Sequence, residues 1–471
     1  MAGVPDQMSI RVLLINPPGK QVYIRDYYCS KFSKSNYLFH PVDLLMMSGR
    51  LSENHEVHVM DAMAERTGIA AAISAIDALA PDVIIAMIGA VAVEDDVAFL
   101  ALLQQTQRRI AVTGDIVLEN TRAWLQQHPV IDAALLDFTS EDVVRYVEGM
   151  IDLPSVVSRR DRFKETPFAR TCNREYDVPV PRHDLFTSRR YRFPFVRHRE
   201  FATVLTDYGC PYSCTFCNMS KIGYQCRSVD NVMAELTMLK QLGKREIFFI
   251  DQSFGVSRTR TLELCTRMQE EGFDFGWACF SRVDLLTDEL IAAMQRAGCH
   301  TLMLGVETAS PALLETYRKG YTKEQIREAF RLCKARKIRT VATFILGLPE
   351  ETEESAHDTM KFARELGCDF ASFNIAVPRM GTPLRQKAIR ECLISSDLVS
   401  MDQAGARVAM PTRHLSKEQV KRIRNRAMID FYLRPGYLWQ RVVSIRTLYE
   451  LSEHLSEGWY LLKGIWQGSD N

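Results

Sequence analysis

Asp207-Tyr-Gly-Cys-Pro-Tyr-Ser-Cys-Thr-Phe-Cys217 decides how this chain is read, because Cys210, Cys214 and Cys217 form a C-x3-C-x2-C run on one short stretch. Iron-sulfur clusters are held by cysteine thiolates, normally four, so a site built from three leaves one iron open to an outside ligand. Three other readings fit less well. Buried cysteines serve as small apolar residues, but rarely three together behind a Gly and beside a Pro. Structural zinc loops use C-x2-C pairs with a partner pair or histidines downstream, and no such pair follows. A disulfide framework needs an oxidising compartment, yet the N-terminus carries no signal-peptide pattern and the other nine cysteines are scattered singly. The expected home is a reducing cytosol, low in oxygen, and the expected localisation cytoplasmic.

The spacing, Phe216 before the last cysteine and Gly209-Cys-Pro211 at the start together resemble the cluster loop of the radical S-adenosylmethionine (SAM) enzymes. The resemblance implies a 4Fe-4S cluster on Cys210, Cys214 and Cys217, with the open iron taking the amino and carboxylate groups of SAM.

The chain has 471 residues, more than one core usually holds, so two or three domains are expected. Lys and Arg number 59 against 58 Asp and Glu, a net charge of +1, so no global field draws it to nucleic acid. No apolar run approaches the length that spans a bilayer, and a soluble protein is expected. We expect a doubly wound N-terminal domain over residues 1–150, an Arg- and Pro-rich linker over 151–198, a partial β/α barrel over 199–385 and a helical region over 386–471.

In the N-terminal third, Arg11-Val-Leu-Leu-Ile-Asn16 reads as a buried strand ending at Pro17-Pro-Gly19, and Val57–Asp61, Asp82–Ile88, Ile110–Thr113 and Ala133–Leu136 read as further strands with helical patterns between them. Such alternation argues for a parallel sheet whose carboxyl-edge loops form a ligand crevice: Pro17–Gly19, Asp61–Glu65, Gly89–Asp96, Gly114–Asn120 and Asp137–Asp142. Placed before a radical SAM loop, this sheet resembles the cobalamin-binding domain of the B12-dependent radical SAM enzymes, most closely at Leu13-Leu-Ile-Asn-Pro-Pro-Gly19. The Asp-x-His-x-x-Gly motif that supplies a histidine to cobalt elsewhere is absent, as in many members of this branch. Gly114-Asp115 and Asp137-Phe-Thr-Ser-Glu-Asp142 stand where relatives carry smaller residues, which would narrow a corrin slot. The resemblance implies bound cobalamin; a sheet that has lost its ligand is the alternative. The polar and aromatic stretch Arg25–Lys34 reads as a solvated connection or as a loop facing the crevice, with Cys29 and Asp115 as candidates there.

Alternation continues from Ala202–Thr206 to about residue 380, which suits a partial β/α barrel with its chemistry at the carboxyl ends of the strands. Resemblance assigns the site residues along these strands. Asp251 and Ser253, after Glu246–Ile250, stand where relatives meet the SAM amino group, and Asp251 reads equally as a helix cap. Arg282 suits a bidentate fork on the SAM carboxylate or a surface salt bridge. Glu307, past the apolar strand from Thr301, resembles the family glutamate that contacts SAM, and Lys319-Gly320 and Thr322 match the turn that follows. Gly347 and Pro349 belong to the Gly-x-Pro-x-x-Thr segment, where glycine lets backbone lie against adenine. The implied chemistry is one-electron cleavage of SAM to a 5′-deoxyadenosyl radical that takes hydrogen from an unreactive C–H bond. With cobalamin the outcome is C-methylation; without it, rearrangement, cyclisation, coupling or oxidation.

From Leu415 the sequence is helical, basic and then aromatic, with Ser416 as N-cap and Pro435-Gly436 as a break. Such a helix packs on its own barrel, or rests on a membrane surface or over a lipid-like substrate. Expected partners are a small-molecule or lipid-like substrate and a reduced flavodoxin or ferredoxin-type electron donor, with no nucleic acid and no transmembrane segment. A ligand-binding redox sensor is the rival from another class.

Overall fold

The structure, a computed structural model, describes residues 9–28, 30–33, 37–103, 108–118, 120–164, 171–219, 222–404, 407–445 and 451–459; Cys29 lies outside them. Two compact units are formed, one from Met1–Lys31, His40–Ala169 and Asp177–Tyr191, the other from Phe32–Phe39, Arg170–Tyr176 and Arg192–Asn471.

The first unit is a six-stranded sheet of β1 (Arg11–Asn16), β2 (Glu56–Asp61), β3 (Val83–Met87), β4 (Arg109–Thr113), β5 (Ala133–Leu135) and β6 (Val156–Ser158), in the order β2-β1-β3-β4-β5-β6. The first five are parallel and β6 is an antiparallel edge. Every residue of β3 and β5 is buried, as continuous apolar runs demand of strands covered on both faces. Chain order reverses between β1 and β3, so their carboxyl ends flank the crevice of a doubly wound sheet. The stretch read as a linker contains β6, and Thr171–Glu175 joins a small sheet of the second unit with Gly223–Cys226 and Asp207–Gly209. Its Arg- and Pro-rich composition hid a three-residue edge strand too short to show a period.

The second unit holds β7 (Phe201–Val204), β8 (Glu246–Phe249), β9 (Gly276–Ser281), β10 (Cys299–Glu307), β11 (Arg339–Leu346) and β12 (Phe370–Ile375), all parallel and paired in simple chain order. Sequential parallel strands joined by helices are the order of a partial β/α barrel. The crossovers include α1 (Val229–Gln241), α2 (Arg258–Glu270), α3 (Asp288–Arg296), α4 (Lys323–Ala335) and α5 (Glu353–Glu365). Each of α4 and α5 starts in a capping box, Thr322 with Gln325 and Thr352 with Ser355; such a cap stabilises by about 1 kcal/mol. Their inner faces bury Ile326, Phe330, Cys333, Met360 and Phe362 in one core with Trp277, Leu302 and Phe344, and each such side chain contributes roughly 1.5–3 kcal/mol. α6 (Lys417–Tyr432) begins at Ser416 in a third capping box, with Gln419, and α7 (Pro435–Ser444) restarts with Pro435 in its first turn. Pro435-Gly436 therefore breaks one helix and opens the next, since proline is tolerated where no N–H partner is needed.

Candidate active site

The cluster loop is held from both ends. Gly209 has φ +81°, and a Cβ there would stand 2.1 Å from the Gly223 carbonyl oxygen, so only glycine allows the turn. Cys210 N–H donates to that same oxygen at 2.7 Å, Thr215 N–H to Tyr317 O at 3.1 Å, and Leu384 N–H to Thr215 O at 3.0 Å. Cys214 is buried, and Cys210 and Cys217 are half-buried. Burial raises the Cys210 thiol, and pushes Cys217 up to about 12 with Cys210 and Cys214 adding to the rise. Thiols this reluctant to ionise need cationic partners or metal to become thiolates. Among the described residues no three His, Cys, Asp or Glu side chains converge on a single ion; a four-iron cube instead takes each thiolate on a different iron.

The cation beside the loop is Arg282, at the end of β9. Its Nε and Nη2 each lie 3.0 Å from a carboxylate oxygen of Asp284, Nη2 also donates to Lys319 O at 2.7 Å, and Nη1 faces Cys214 Sγ at 3.7 Å. The guanidinium stacks on Tyr212, 3.5 Å from the ring centroid, with Tyr321 at 5.1 Å. The fork expected for a SAM carboxylate is therefore occupied by Asp284, and the remaining edge points at sulfur.

Glu307 ends β10 at φ +65°, a left-handed conformation that costs a non-glycine residue about 1–3 kcal/mol and clusters at functional sites. Its carboxylate pairs with buried Lys319 at 2.7 Å. Burial lowers the lysine, but the charges of Glu307, Tyr321 and Cys214 together outweigh it and raise the pKa. Gly305 makes room: a Cβ there would lie 2.5 Å from Glu307 Oε1 and 3.2 Å from Lys319 Nζ. Lys319 Nζ also stands 5.5 Å from the centre of the Phe216 ring. Thus Cys214, Phe216, Arg282, Glu307 and Lys319 form one cluster at the carboxyl edge.

Asp251 is not the cap of α2, which starts after Ser257. Its buried carboxylate accepts from Thr206 N–H (2.6 Å), Thr206 Oγ1 (2.6 Å) and Asp207 N–H (3.0 Å), fastening the entry of the cluster loop to β8. Burial, then neighbouring Asp207, raises it. Ser253 Oγ lies 3.9 Å from Cys210 Sγ. Gly347 has φ +85°, its N–H donates to Glu351, and Pro349 O accepts from Arg413 N–H at 2.8 Å. Two buried polar atoms near these elements have no hydrogen-bond partner, Asn218 Oδ1 and Glu351 Oε1; buried polar groups are rarely left so without a ligand to satisfy them. Sequence reasoning missed Lys319 as partner of Glu307, Tyr212, Tyr321 and Glu351, although the Lys-Gly-x-Thr turn had marked the place of Lys319.

In the first unit, the crevice between β1 and β3 is lined by a buried network. Arg25 pairs with Asp96, both side chains fully buried, and donates to Asn16 Oδ1 at 2.8 Å; Asn16 donates to Asp61 at 2.9 Å. Asp115 accepts from Ser30 N–H (2.9 Å), Ser30 Oγ (2.8 Å) and Ala90 N–H (2.9 Å), so its carboxylate is folded into the loop. Asp43 is completely buried, and burial raises its carboxyl well above the usual range.

A parallel sheet carrying a three-cysteine loop at the mouth of its first strand, with buried cations beside the thiols, defines an enzyme built for cluster chemistry. Residues 204–363 match the Radical SAM superfamily model, and the chain carries a radical SAM domain. It is similar to an uncharacterized methyltransferase of Pyrococcus horikoshii, PH0819, at 29% identity over 417 residues, covering 84% of this chain and 89% of the relative. Its fold is that of the methyltransferase TsrM from Kitasatospora setae, solved with cobalamin and a [4Fe-4S] cluster (TM-score 0.67, 19% identity, 88% of this chain and 85% of that one). The cobalamin-dependent SAM radical enzyme OxsB, solved with aqua-cobalamin and SAM, is similar over 96% of this chain and 72% of its own (TM-score 0.67, 17% identity). Among the described residues no helix is long and apolar enough to cross a membrane.

Proposed function

We propose that this chain is a cobalamin-dependent radical SAM C-methyltransferase acting on a small or lipid-like molecule in the cytoplasm. The observation that carries the reading is the pairing, in one chain, of the three-cysteine loop at a barrel edge with a doubly wound sheet of the fold seen in cobalamin enzymes. Cys210, Cys214 and Cys217 would hold the cluster, which when bound supplies the electron that cleaves SAM. The unsatisfied acceptor Asn218 Oδ1 suits an N–H donor of a ligand, and Glu351 Oε1, on a carboxyl that keeps its proton, suits an acceptor. Glu307, held by Lys319, presents carboxylate to the SAM cation, Ser253 stands by the first cysteine, Phe216 packs on Lys319, and Gly347 and Pro349 form the flat turn for adenine. Asp251 positions the loop without touching SAM, and Arg282 neutralises the cluster thiolates.

The first unit has the doubly wound sheet of the solved cobalamin enzymes, and no histidine stands in its five carboxyl-edge loops, so a histidine ligand from them is excluded. Free thiols throughout the described residues suit a reducing compartment, and a flavodoxin or ferredoxin-type protein suits the electron demand. The test is anaerobic loading with iron, sulfide and hydroxocobalamin, followed by gel filtration and then by incubation with SAM and dithionite as reductant. Corrin absorbance that elutes with the protein and 5′-deoxyadenosine formed from SAM support the reading. 5′-Deoxyadenosine without corrin would transfer the assignment to rearrangement, cyclisation, coupling or oxidation.

A further inference from the structure

Fourteen large apolar side chains are exposed among the described residues, and nine of them lie between Ile429 and Trp459. They are not the residues that dock this region on the barrel. That docking is complete on the inner face: Val420, Ile423, Ala427 and Phe431 of α6 are buried, Tyr432 OH donates to Ala371 O at 2.7 Å, Tyr437 OH donates to Asp369 O at 3.0 Å, and Arg441 pairs with Asp369 at 3.1 Å. The outer face of α6 runs Arg422, Arg426, Ile429, Leu433, a spacing of four, three and four that keeps them on one side. On α7 the outward residues are Leu438, Trp439, Val442 and Val443, with Trp439 69% exposed and the two valines 62% and 64%. Residues 417–445 carry seven Lys and Arg against two acids, in a chain whose whole net charge is +1. One of those acids, Asp430, lies 3.6 Å from Arg426.

We propose that this face seats the enzyme on an anionic lipid surface, with the Trp439–Val443 ridge at the acyl boundary and Arg422 and Arg426 at the headgroups. A helix that is apolar outside and flanked by arginines is the form of an interfacial anchor, and tryptophan is the residue best suited to that depth. α7 spans ten residues, too few to cross a bilayer. A second copy of the chain is a poorer occupant, because two such basic faces repel one another. A neutral surface would leave the arginines without counter-charge.

The test is co-sedimentation of the iron-loaded protein with vesicles of phosphatidylcholine alone and of phosphatidylcholine mixed with phosphatidylglycerol. Binding to the mixed vesicles is expected to exceed that to neutral ones by about tenfold and to fall with added salt. The doubly substituted Trp439→Glu, Val443→Glu protein should lose most binding while keeping iron content and circular dichroism. Arg422→Glu with Arg426→Glu should remove the preference for the anionic lipid. Equal binding to both vesicles, no binding to either, or a dimer in light scattering that Trp439→Glu dissociates would each overturn the proposal.

Discussion

Glu307 and Lys319 show what a single buried pair does at this edge. The glutamate takes a strained backbone at φ +65° and is held 2.7 Å from the lysine. Breaking a buried pair by removing one partner costs about 3–5 kcal/mol, so Glu307→Ala should lower stability by about that amount. Glu307→Gln keeps the volume and a hydrogen bond to Lys319; calorimetry should show SAM binding weakened at least about tenfold, with iron content unchanged. Iron loss in Glu307→Gln would mean that the residue serves the loop instead. Arg282 leads to a different expectation. With Nη1 3.7 Å from Cys214 Sγ, its charge favours the reduced cluster. Arg282→Gln should move the cluster's reduction potential downward in a redox titration followed by paramagnetic resonance, and Arg282→Lys should restore part of the shift. An unchanged potential would contradict that role. The sequence located both residues at strand ends but not their partners. Strand ends follow from apolar runs, whereas Asp284 meeting Arg282, and Thr206 with Asp207 consuming Asp251, depend on tertiary register that no local pattern carries.

At the scale of the element, the turn after β11 ties Gly347 to Glu351. Burial raises the Glu351 carboxyl to about 8, against about 4.3 for an unfolded glutamate. Between these values the folded chain keeps a proton that the unfolded chain has released, so this group's effect is a loss of stability as pH rises through that window, complete above about 8. Glu351→Gln, which keeps an acceptor for Gly347 N–H, should melt progressively higher than the parent as pH rises from about 5 to about 8, measured by thermal unfolding of the ligand-free protein. Equal melting across that range would contradict the buried acid. The loop after Asp207–Gly209 depends on its glycine in a similar way. Gly209→Ala forces a Cβ against the Gly223 carbonyl, 2.1 Å away, and should reduce iron bound after reconstitution. The strands and the cysteine loop were legible because continuous apolar runs and fixed spacing are local. The three-residue β6 was not, since so short an edge strand shows no period.

Across the whole molecule, both sheets place their loops at the carboxyl edges of parallel strands, the position where such folds gather ligands. The strands and the class of fold could be anticipated from alternating runs. What could not be read was how much of the first unit's crevice is committed to its own structure: Asp115, which stands where smaller residues are usual, spends its carboxylate on Ser30 and Ala90. The function rests on the second unit. Protein reconstituted anaerobically and reduced should give the low-temperature paramagnetic signal of a reduced 4Fe-4S cluster, and SAM should change that signal by binding the open iron. In Cys214→Ala the signal should be absent. A signal that SAM leaves unaltered, or one that survives in Cys214→Ala, would contradict the account.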